Sequence, residues 1–449
     1  MRFEEWFDTI VLGAGTAGCM AAYTAAKSGL KKVALVDRKP KERIGKKVCG
    51  DGIKMSHIRF LVENGFQIDR DSLIAGYPEA LKLVSPDKRH KIELPTGKQV
   101  AVINRHEFGQ ALLAGALSES VTLFDSTKFT ALKSTNDGVK IKLETGNKEF
   151  SLSTSLVIDA SGFNSSIRKN HLIFGDSGHV KDSEQFSCYR EICEIDPPGN
   201  FKDSFILEFS FEATRGGYGW VFHRDGNEFN TGIGIPGNQV KDHSPKKSFE
   251  KYMANQFMNR KTIEGAGGIV PTRHPLPTLV KDNIILVGDA GAIVNPVHGG
   301  GLGSSLVSGH VAGNIAARQV PSEGVTERDL WPFNREIMQR YGLKYSVLDL
   351  FRILLQYISD EELNDAFSKE YLPLGKIFMA DYDPLMAILR KLRGTWEQLP
   401  SRNFNRLPEY VERVDMITSK YPESPDKLDE WTKSYEGIYN KLTEIFSLF

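Results

Sequence analysis

The sequence predicts an α/β protein in which a doubly wound parallel-sheet domain is interleaved with an antiparallel-sheet domain and followed by a helical C-terminal region. Three observations carry this. An apolar strand near the N-terminus runs into a glycine turn and a helix. The same order of strand, glycine turn and helix returns about 275 residues later. Between the two lie segments with the period-two alternation of an antiparallel sheet.

The first segment is Asp8-Thr-Ile-Val-Leu-Gly13-Ala-Gly15-Thr16-Ala17-Gly18. Residues 7–12 form a short apolar run suited to a parallel strand. Gly13 allows the tight turn, Gly15 lets the backbone approach a pyrophosphate, and Gly18 lets the following helix, over residues 17–28, pack on the strand. The helix places its positive N-terminus at the phosphates. A second strand, residues 32–36, ends in Asp37-Arg38, and a carboxylate there can take both ribose hydroxyls. This is a Rossmann-like dinucleotide site, with Gly13, Gly15, Thr16, Ala17, Gly18, Asp37 and Arg38 as cofactor-binding candidates.

The second segment is Ile284-Ile-Leu-Val-Gly288-Asp289, then Asn295-Pro-Val-His298-Gly-Gly300-Gly301-Leu302-Gly303. An apolar strand that delivers Gly288-Asp289 can hydrogen-bond a ribityl chain, and Pro296 then redirects the backbone. The glycines up to Gly303 admit a flat ring edge. Small and apolar residues from Leu306 to Ala316 recur at helical spacing. That helix aims its N-terminus at the flavin N1–C2=O region, where partial positive charge favours anionic reduced flavin. The two segments together identify the nucleotide as FAD, with Gly288, Asp289, Gly300, Gly301 and Leu302 as contacts.

Between these segments the chain interleaves. Residues 1–75, 100–175 and 276–320 are expected to form the FAD-binding domain, and residues 76–99 with 176–275 the antiparallel substrate sheet. Residues 321–449 form the helical remainder. Asn136-Asp137-Gly138 marks a hairpin turn, and Ser359-Asp-Glu-Glu362 a helix-capping box. Tyr218, Trp220 and Phe222 alternate, which puts all three on one face of a strand. Such a face can line a pocket or simply pack into the core.

Composition narrows the functional classes. The 57 basic and 57 acidic residues cancel, which argues against nucleic acid as a partner. No run of 18 apolar residues occurs and the N-terminus has no signal-peptide pattern, so a cytoplasmic protein is expected. Cys19, Cys49, Cys188 and Cys193 include no C-x-x-C pair, so no metal site is expected. Cys19 reads as a buried filler and Cys188 and Cys193 as structural.

Four further stretches carry a resemblance: Lys46-Lys-Val-Cys49-Gly50-Asp51-Gly52, Leu156-Val-Ile-Asp-Ala-Ser161-Gly162, Gly217-Tyr218-Gly-Trp220-Val-Phe222-His223 with Gly232-Ile-Gly234, and Pro271-Thr-Arg273-His-Pro275. Together with the two glycine segments they resemble the geranylgeranyl reductase family, a branch of the p-hydroxybenzoate-hydroxylase-like flavoproteins, along essentially the whole chain. The stretch Asn295 to Gly301 most resembles archaeal lipid-saturating members. The resemblance implies that Cys49, Gly50, Asp51 and Gly162 line the flavin site. It also implies that Tyr218, Trp220, Phe222 and His298 line a pocket for an isoprenoid chain. It places Arg105 at the FAD diphosphate, where the residue alone reads equally as a surface helix cap. Two departures stand out. Ser161-Gly162 replaces an Asp-Gly linked to pyridine-nucleotide use, which weighs against direct reduction by NADPH. His223 replaces a proline at the end of the pocket signature.

The function implied is FAD-dependent saturation of isoprenoid double bonds in geranylgeranyl chains of archaeal-type ether lipids. It requires an external electron donor (NADPH, ferredoxin or another carrier) and peripheral contact with the inner face of the cell membrane. An aromatic-ring monooxygenase and a quinone-type electron carrier are the alternatives on the same fold. Cys49, Tyr218, His298 or a bound water are the candidate proton donors, with Trp220 beside the reacting alkene. The last helix carries Trp431, Tyr435, Ile438, Leu442, Ile445 and Phe449 at helical spacing, for packing on the body or for membrane contact.

Overall fold

The computed structural model describes residues 5–135, 137–196, 201–257, 259–320, 324–369, 374–379 and 402–447. Its first sheet grows outward from the strand Glu5–Leu12, where Ile10, Val11 and Leu12 are buried on both faces, as a central parallel strand requires. This strand pairs in parallel with Val33–Val36 on one side and Lys148–Asp159 on the other. Lys148–Asp159 pairs in parallel with Ile284–Leu286. The register aligns Leu12 with Asp159 and Asp159 with Leu286. Both glycine turns therefore leave the same carboxyl edge, where ligands of open parallel sheets bind. The hairpin Thr127–Thr135 with Gly138–Thr145 extends this sheet. Gly138 takes φ +151° at its turn, and Asn136 lies outside the described residues.

The second sheet has seven strands in the order Lys261–Pro271, Gln185–Glu194, Glu228–Pro236, Tyr218–His223, Ser204–Glu208, Ala80–Val84 and Lys91–Pro95. It departs from a wholly antiparallel sheet at one pairing. Ala80–Val84 and Ser204–Glu208 run parallel. These strands come from distant parts of the chain, so no hairpin turn dictates their direction. The Ala80–Val84/Lys91–Pro95 hairpin adds to the sheet as a unit. A third, three-stranded sheet of Gly52–Lys54, Val100–Ile103 and Ile74–Gly76 was not foreshadowed by the sequence pattern.

Two helices pack at unusually close range. A Cβ built on Gly309 would lie 2.3 Å from the Ala17 carbonyl oxygen, and one on Gly313 would lie 2.6 Å from that of Ala21. Contacts that advance four residues on each helix mean that Thr16–Lys27 and Leu302–Gln319 run parallel. The same register sets the start of the second helix about six residues, roughly 9 Å, beyond the start of the first.

The C-terminal region packs helices around a buried polar network. Ser359 and Glu362 exchange the hydrogen bonds of a capping box. The last helix, Leu428–Ser447, buries Trp431, Tyr435 and Leu442 and half-buries Ile438 and Ile445 against the body. Phe449 lies outside the described residues. Asp349, fully buried, accepts from His274 Nδ1 at 2.7 Å and from Arg352 Nε at 2.5 Å. Glu436 on the last helix accepts from Arg273 Nη2 at 2.8 Å. His274 Nε2 lies 2.7 Å from that same Arg273 nitrogen and 3.1 Å from Glu436 Oε1. A neutral ring accepts from the first, and an imidazolium donates to the second.

Burial alone would raise the carboxyls of Asp349 and Glu436. Arg352 and His274 outweigh it at Asp349, and His274 and Arg273 at Glu436, so both sit well below the usual carboxylate range. A depressed carboxyl stabilises the fold above its unfolded pKa, near 3.8 for Asp349 and 4.5 for Glu436, and that stability is lost as pH falls. Thermal unfolding should therefore move to lower temperature between about pH 5 and pH 3. Glu436→Gln should flatten that acid limb and destabilise the protein at neutral pH by about 3 kcal/mol, because it leaves Arg273 less than fully compensated. Calorimetry across this pH range checks both.

Candidate active site

The first glycine turn meets the requirements of a diphosphate cradle. A Cβ on Gly13 would lie 2.5 Å from the Ala160 oxygen and one on Gly18 would lie 1.8 Å from the Gly13 oxygen, so both positions serve backbone packing. A Cβ on Gly15 would meet nothing within 4 Å and would fill the cradle itself. Asp37 accepts from the Ala14 and Lys39 amides at 2.7 and 2.8 Å, which braces the turn against its own strand. A carboxylate has further lone pairs for ribose hydroxyls.

Arg105 is buried, unlike an exposed helix cap. Its Nη2 donates to Thr16 Oγ1 at 3.0 Å, while Nε and Nη1 have no partner. A buried guanidinium with two idle donors beside a helix N-terminus fits an anion. Lys39 points the same way. Burial pushes its amine down, and the cations of Arg38, Arg105 and Lys47 push it further against the pull of Asp37. A diphosphate would neutralise this cluster.

The second turn lies alongside. Gly288, at φ +56°, sits between Ala17 and Ser305, where a Cβ would fall 3.0 and 2.9 Å from the nearest atoms. Asp289 pairs with Lys47 at 2.5 Å, and its Oδ1 lies beside Gly301, the residue that starts the helix Leu302–Gln319. Gly162, at φ +87°, would likewise meet nothing within 4 Å through a Cβ. Upstream of it, the fully buried Asp159 accepts from the Ser161 amide and the Ser165 hydroxyl, an anchor not expected from the sequence. The cradle, the cationic cluster and the second helix N-terminus together fit FAD.

Tyr218, Trp220 and Phe222 lie side by side on the pocket strand, with ring centroids 6.2 and 6.5 Å apart in sequence. Val221 points to the other face, into a separate core with Phe229 and Phe249. The loop Cys49-Gly50-Asp51 lies directly against the aromatic face, where a Cβ on Gly50 would fall 3.1 Å from the Phe222 ring. Tyr218 Oη donates to the His298 carbonyl at 2.6 Å, which joins the aromatic strand to the second glycine turn. His223 closes the strand by accepting from the Asp203 amide at 3.1 Å, so it supplies an edge contact that proline cannot.

The proton-donor candidates separate by environment. Burial, with Cys188 and Cys49 nearby, pushes the Tyr218 hydroxyl well above its usual range. His298 is pushed down to about 4 by burial and by the charges of Lys344 and Lys54, and its Nδ1 accepts from the Gly300 amide. It is neutral near pH 7. Burial and Asp51 push the Cys49 thiol up, so it keeps its proton. Asp51 is buried and held in the left-handed region at φ 63°. Burial raises its carboxyl despite Arg190, Arg224 and Arg105.

The cofactor contacts are testable by binding. Arg105→Gln should weaken FAD affinity by about tenfold to a hundredfold, the worth of hydrogen bonds to a charged group. Gly15→Val should abolish flavin retention with little change in folding. Fluorescence titration of the apoprotein with FAD, alongside circular dichroism, checks both.

Comparison with known proteins agrees with this geometry. Residues 8–164 match the family described as FAD dependent oxidoreductase, and residues 185–270 match the geranylgeranyl reductase catalytic domain. A digeranylgeranylglycerophospholipid reductase of Sulfolobus acidocaldarius is 28% identical over 99% of this chain and 100% of its own length. One of Methanococcus vannielii is 30% identical over 80% of this chain and 90% of its own. Among solved structures, a geranylgeranyl bacteriochlorophyll reductase-like protein of Thermoplasma acidophilum shares the fold. Its TM-score is 0.77 and its identity 21%, over 88% of this chain and 100% of that one. A flavin-dependent halogenase shares it with a TM-score of 0.65 and 16% identity, over 99% of this chain and 78% of that one. With a relative at 30% identity matched over nine-tenths of its length, the chain belongs to the digeranylgeranylglycerophospholipid reductase family of FAD-dependent oxidoreductases.

Proposed function

We propose that this protein saturates the isolated double bonds of geranylgeranyl chains in archaeal ether lipids. One observation carries the reading. The aromatic face of Tyr218, Trp220 and Phe222 is joined to the second glycine turn through the 2.6 Å Tyr218–His298 bond and is faced by the Cys49 loop. An apolar wall, a thiol and the flavin-side turn therefore converge, as a hydrocarbon substrate requires.

Reduced FAD, when bound, supplies the hydride. The chain's residues do the rest. An isolated alkene is not electron-poor, so a proton must reach its less substituted carbon while the other carbon gains cationic character. Cys49 is the candidate donor, since its thiol stays protonated and its Sγ only accepts, from the Asp51 amide, whereas Tyr218 gives its proton to the His298 carbonyl. The rings of Trp220 and Tyr218 stabilise the developing cation, at about 1–2 kcal/mol for a desolvated ring. Positioning supplies the larger share.

The electrons come from an external carrier. The Ser161-Gly162 turn in place of Asp-Gly favours ferredoxin or another carrier over NADPH. Among the described residues no helix is long and apolar enough to cross a membrane. We place the lipid encounter at the inner membrane face through peripheral contact.

Three variants test the site in a dithionite-driven assay with a geranylgeranyl lipid. Trp220→Ala should lower the rate about tenfold, consistent with loss of one well-placed ring, while the flavin still reduces chemically. Tyr218→Phe unties only the His298 carbonyl and should cost about fivefold, the worth of one hydrogen bond. Cys49→Ser should slow turnover and leave partly reduced chains. Unchanged rates and products in all three would remove these residues from the mechanism. No reduction by the unaltered protein would reject the substrate assignment.

A further inference from the structure

We propose that Asn230 is the positioning residue that fixes the Cys49 loop against the Trp220 indole, and so sets how the alkene is presented to the thiol. The catalytic part of this inference rests on the function proposed above.

Asn230 lies on the strand Glu228–Pro236, opposite Phe222 on one neighbour and Ile192 on the other, and is fully buried. Its side-chain amide makes three hydrogen bonds to two separate segments. Oδ1 accepts from Trp220 Nε1 at 3.0 Å. Nδ2 donates to the Cys49 carbonyl and to Asp51 Oδ2, each at 2.8 Å. An indole N–H only donates, and a carbonyl only accepts. These partners fix the amide's orientation and require a group that is donor and acceptor at once. Asp, Leu or Ser cannot supply all three bonds.

The loop it holds has reason to need holding. Asp51 adopts φ 63°, a region costly for a residue with a side chain, and its buried Oδ1 has no partner. Within the loop the Asp51 amide donates to Cys49 Sγ at 3.3 Å, and apart from Asn230 two contacts tie the loop to the rest of the chain, the Ile103 amide on the Asp51 carbonyl at 2.9 Å and Arg224 at 3.4 Å from Asp51 Oδ2. Both act at Asp51. Asn230 grips Cys49 itself and, through the same planar amide, the indole. Its side-chain hydrogen bonds go to Trp220, Cys49 and Asp51 and to neither glycine turn, so a change here acts first on the loop and the ring.

The test uses the full chain loaded with FAD. Asn230→Asp keeps an acceptor for Trp220 but replaces both donors with an oxygen that faces two acceptors. Trp220→Phe removes the indole donor and leaves the loop bonds. Alkylation of Cys49 by iodoacetamide is followed by peptide mass spectrometry across pH, with Cys49→Ser as the blank. The rate constant of the thiolate itself, which is corrected for the carboxylate added beside it, should be about tenfold larger in Asn230→Asp, in line with the loss of one to two net hydrogen bonds. In Trp220→Phe it should match the unaltered protein. Adding Asp51→Asn to Asn230→Asp restores a donor–acceptor pair in reversed polarity and should bring the rate back toward the original.

In the alkene assay, Asn230→Asp should lower kcat about tenfold to a hundredfold with KM nearly unchanged, as a displacement near 1 Å does. Its product should shift toward partly reduced chains. An alkylation rate equal to that of the unaltered protein overturns the clamp. If Asn230→Asp does not retain flavin, Asn230→Ser, which keeps one hydroxyl, is judged by the same criterion. Faster alkylation in a protein that reduces no alkene would keep the clamp and overturn the proposed substrate.

Discussion

The cofactor site depends on the contact between two helix backbones. Leu302–Gln319 lies so close to Thr16–Lys27 that only hydrogen fits at Gly309 and Gly313, against the carbonyls of Ala17 and Ala21. Because the helices are parallel, both N-termini face the same way, and because their register is offset by about 9 Å, they present two separate poles. One pole lies at the Gly15 cradle with Arg105, the other at Gly301 beside Asp289. FAD carries its diphosphate in the middle and its flavin ring at one end, so the two groups call for separate poles. A larger residue in the seam would push the poles apart before it touched any cofactor contact.

From this seam the rest of the site is built by ties between distant parts of the chain. The sheet register puts Leu12, Asp159 and Leu286 level, so the turns after them share one edge. Tyr218 carries the substrate sheet to that edge through the His298 carbonyl. On the far side, Arg273 and His274 lead out of the same sheet into the network that holds the last helix through Glu436. The helical region is thus anchored to the residues just before the second glycine turn.

Much of this was legible in the sequence, and the reason is locality. Gly13, Gly15 and Gly18 act within one turn of chain, and so do Gly288 and Asp289, so their spacing carries their meaning. The alternation of Tyr218, Trp220 and Phe222 is similarly local and put the three rings on one face. Arg105 was ambiguous because a helix-start arginine reads alike in water and in a cleft. Its burial and its idle nitrogens separate the two. The parallel pairing of Ala80–Val84 with Ser204–Glu208 was missed because no turn links them. Asn230 was missed for a related reason. It stands in a run of strand residues with nothing to mark it, and its partners at Cys49 and Asp51 are 181 and 179 positions away.

The environments of the candidate acids bear on what the site has to accomplish. The three candidate donors near the aromatic face are held in their neutral forms chiefly by burial: Tyr218 and Cys49 are pushed up, and His298 down. A strong acid beside an apolar chain would be costly to keep and would protonate without regard to where hydride can go. A weak acid gives up its proton only as the electron pair of the alkene is drawn toward it and positive charge grows on the neighbouring carbon. In that arrangement the rate follows from placement. In the proposed mechanism the thiol sits on the less substituted carbon, the other carbon faces the flavin, and the ring faces lie close enough to share the charge. One rigid amide ties the Cys49 backbone to the indole, and in the proposed mechanism that holds donor and ring at a constant spacing.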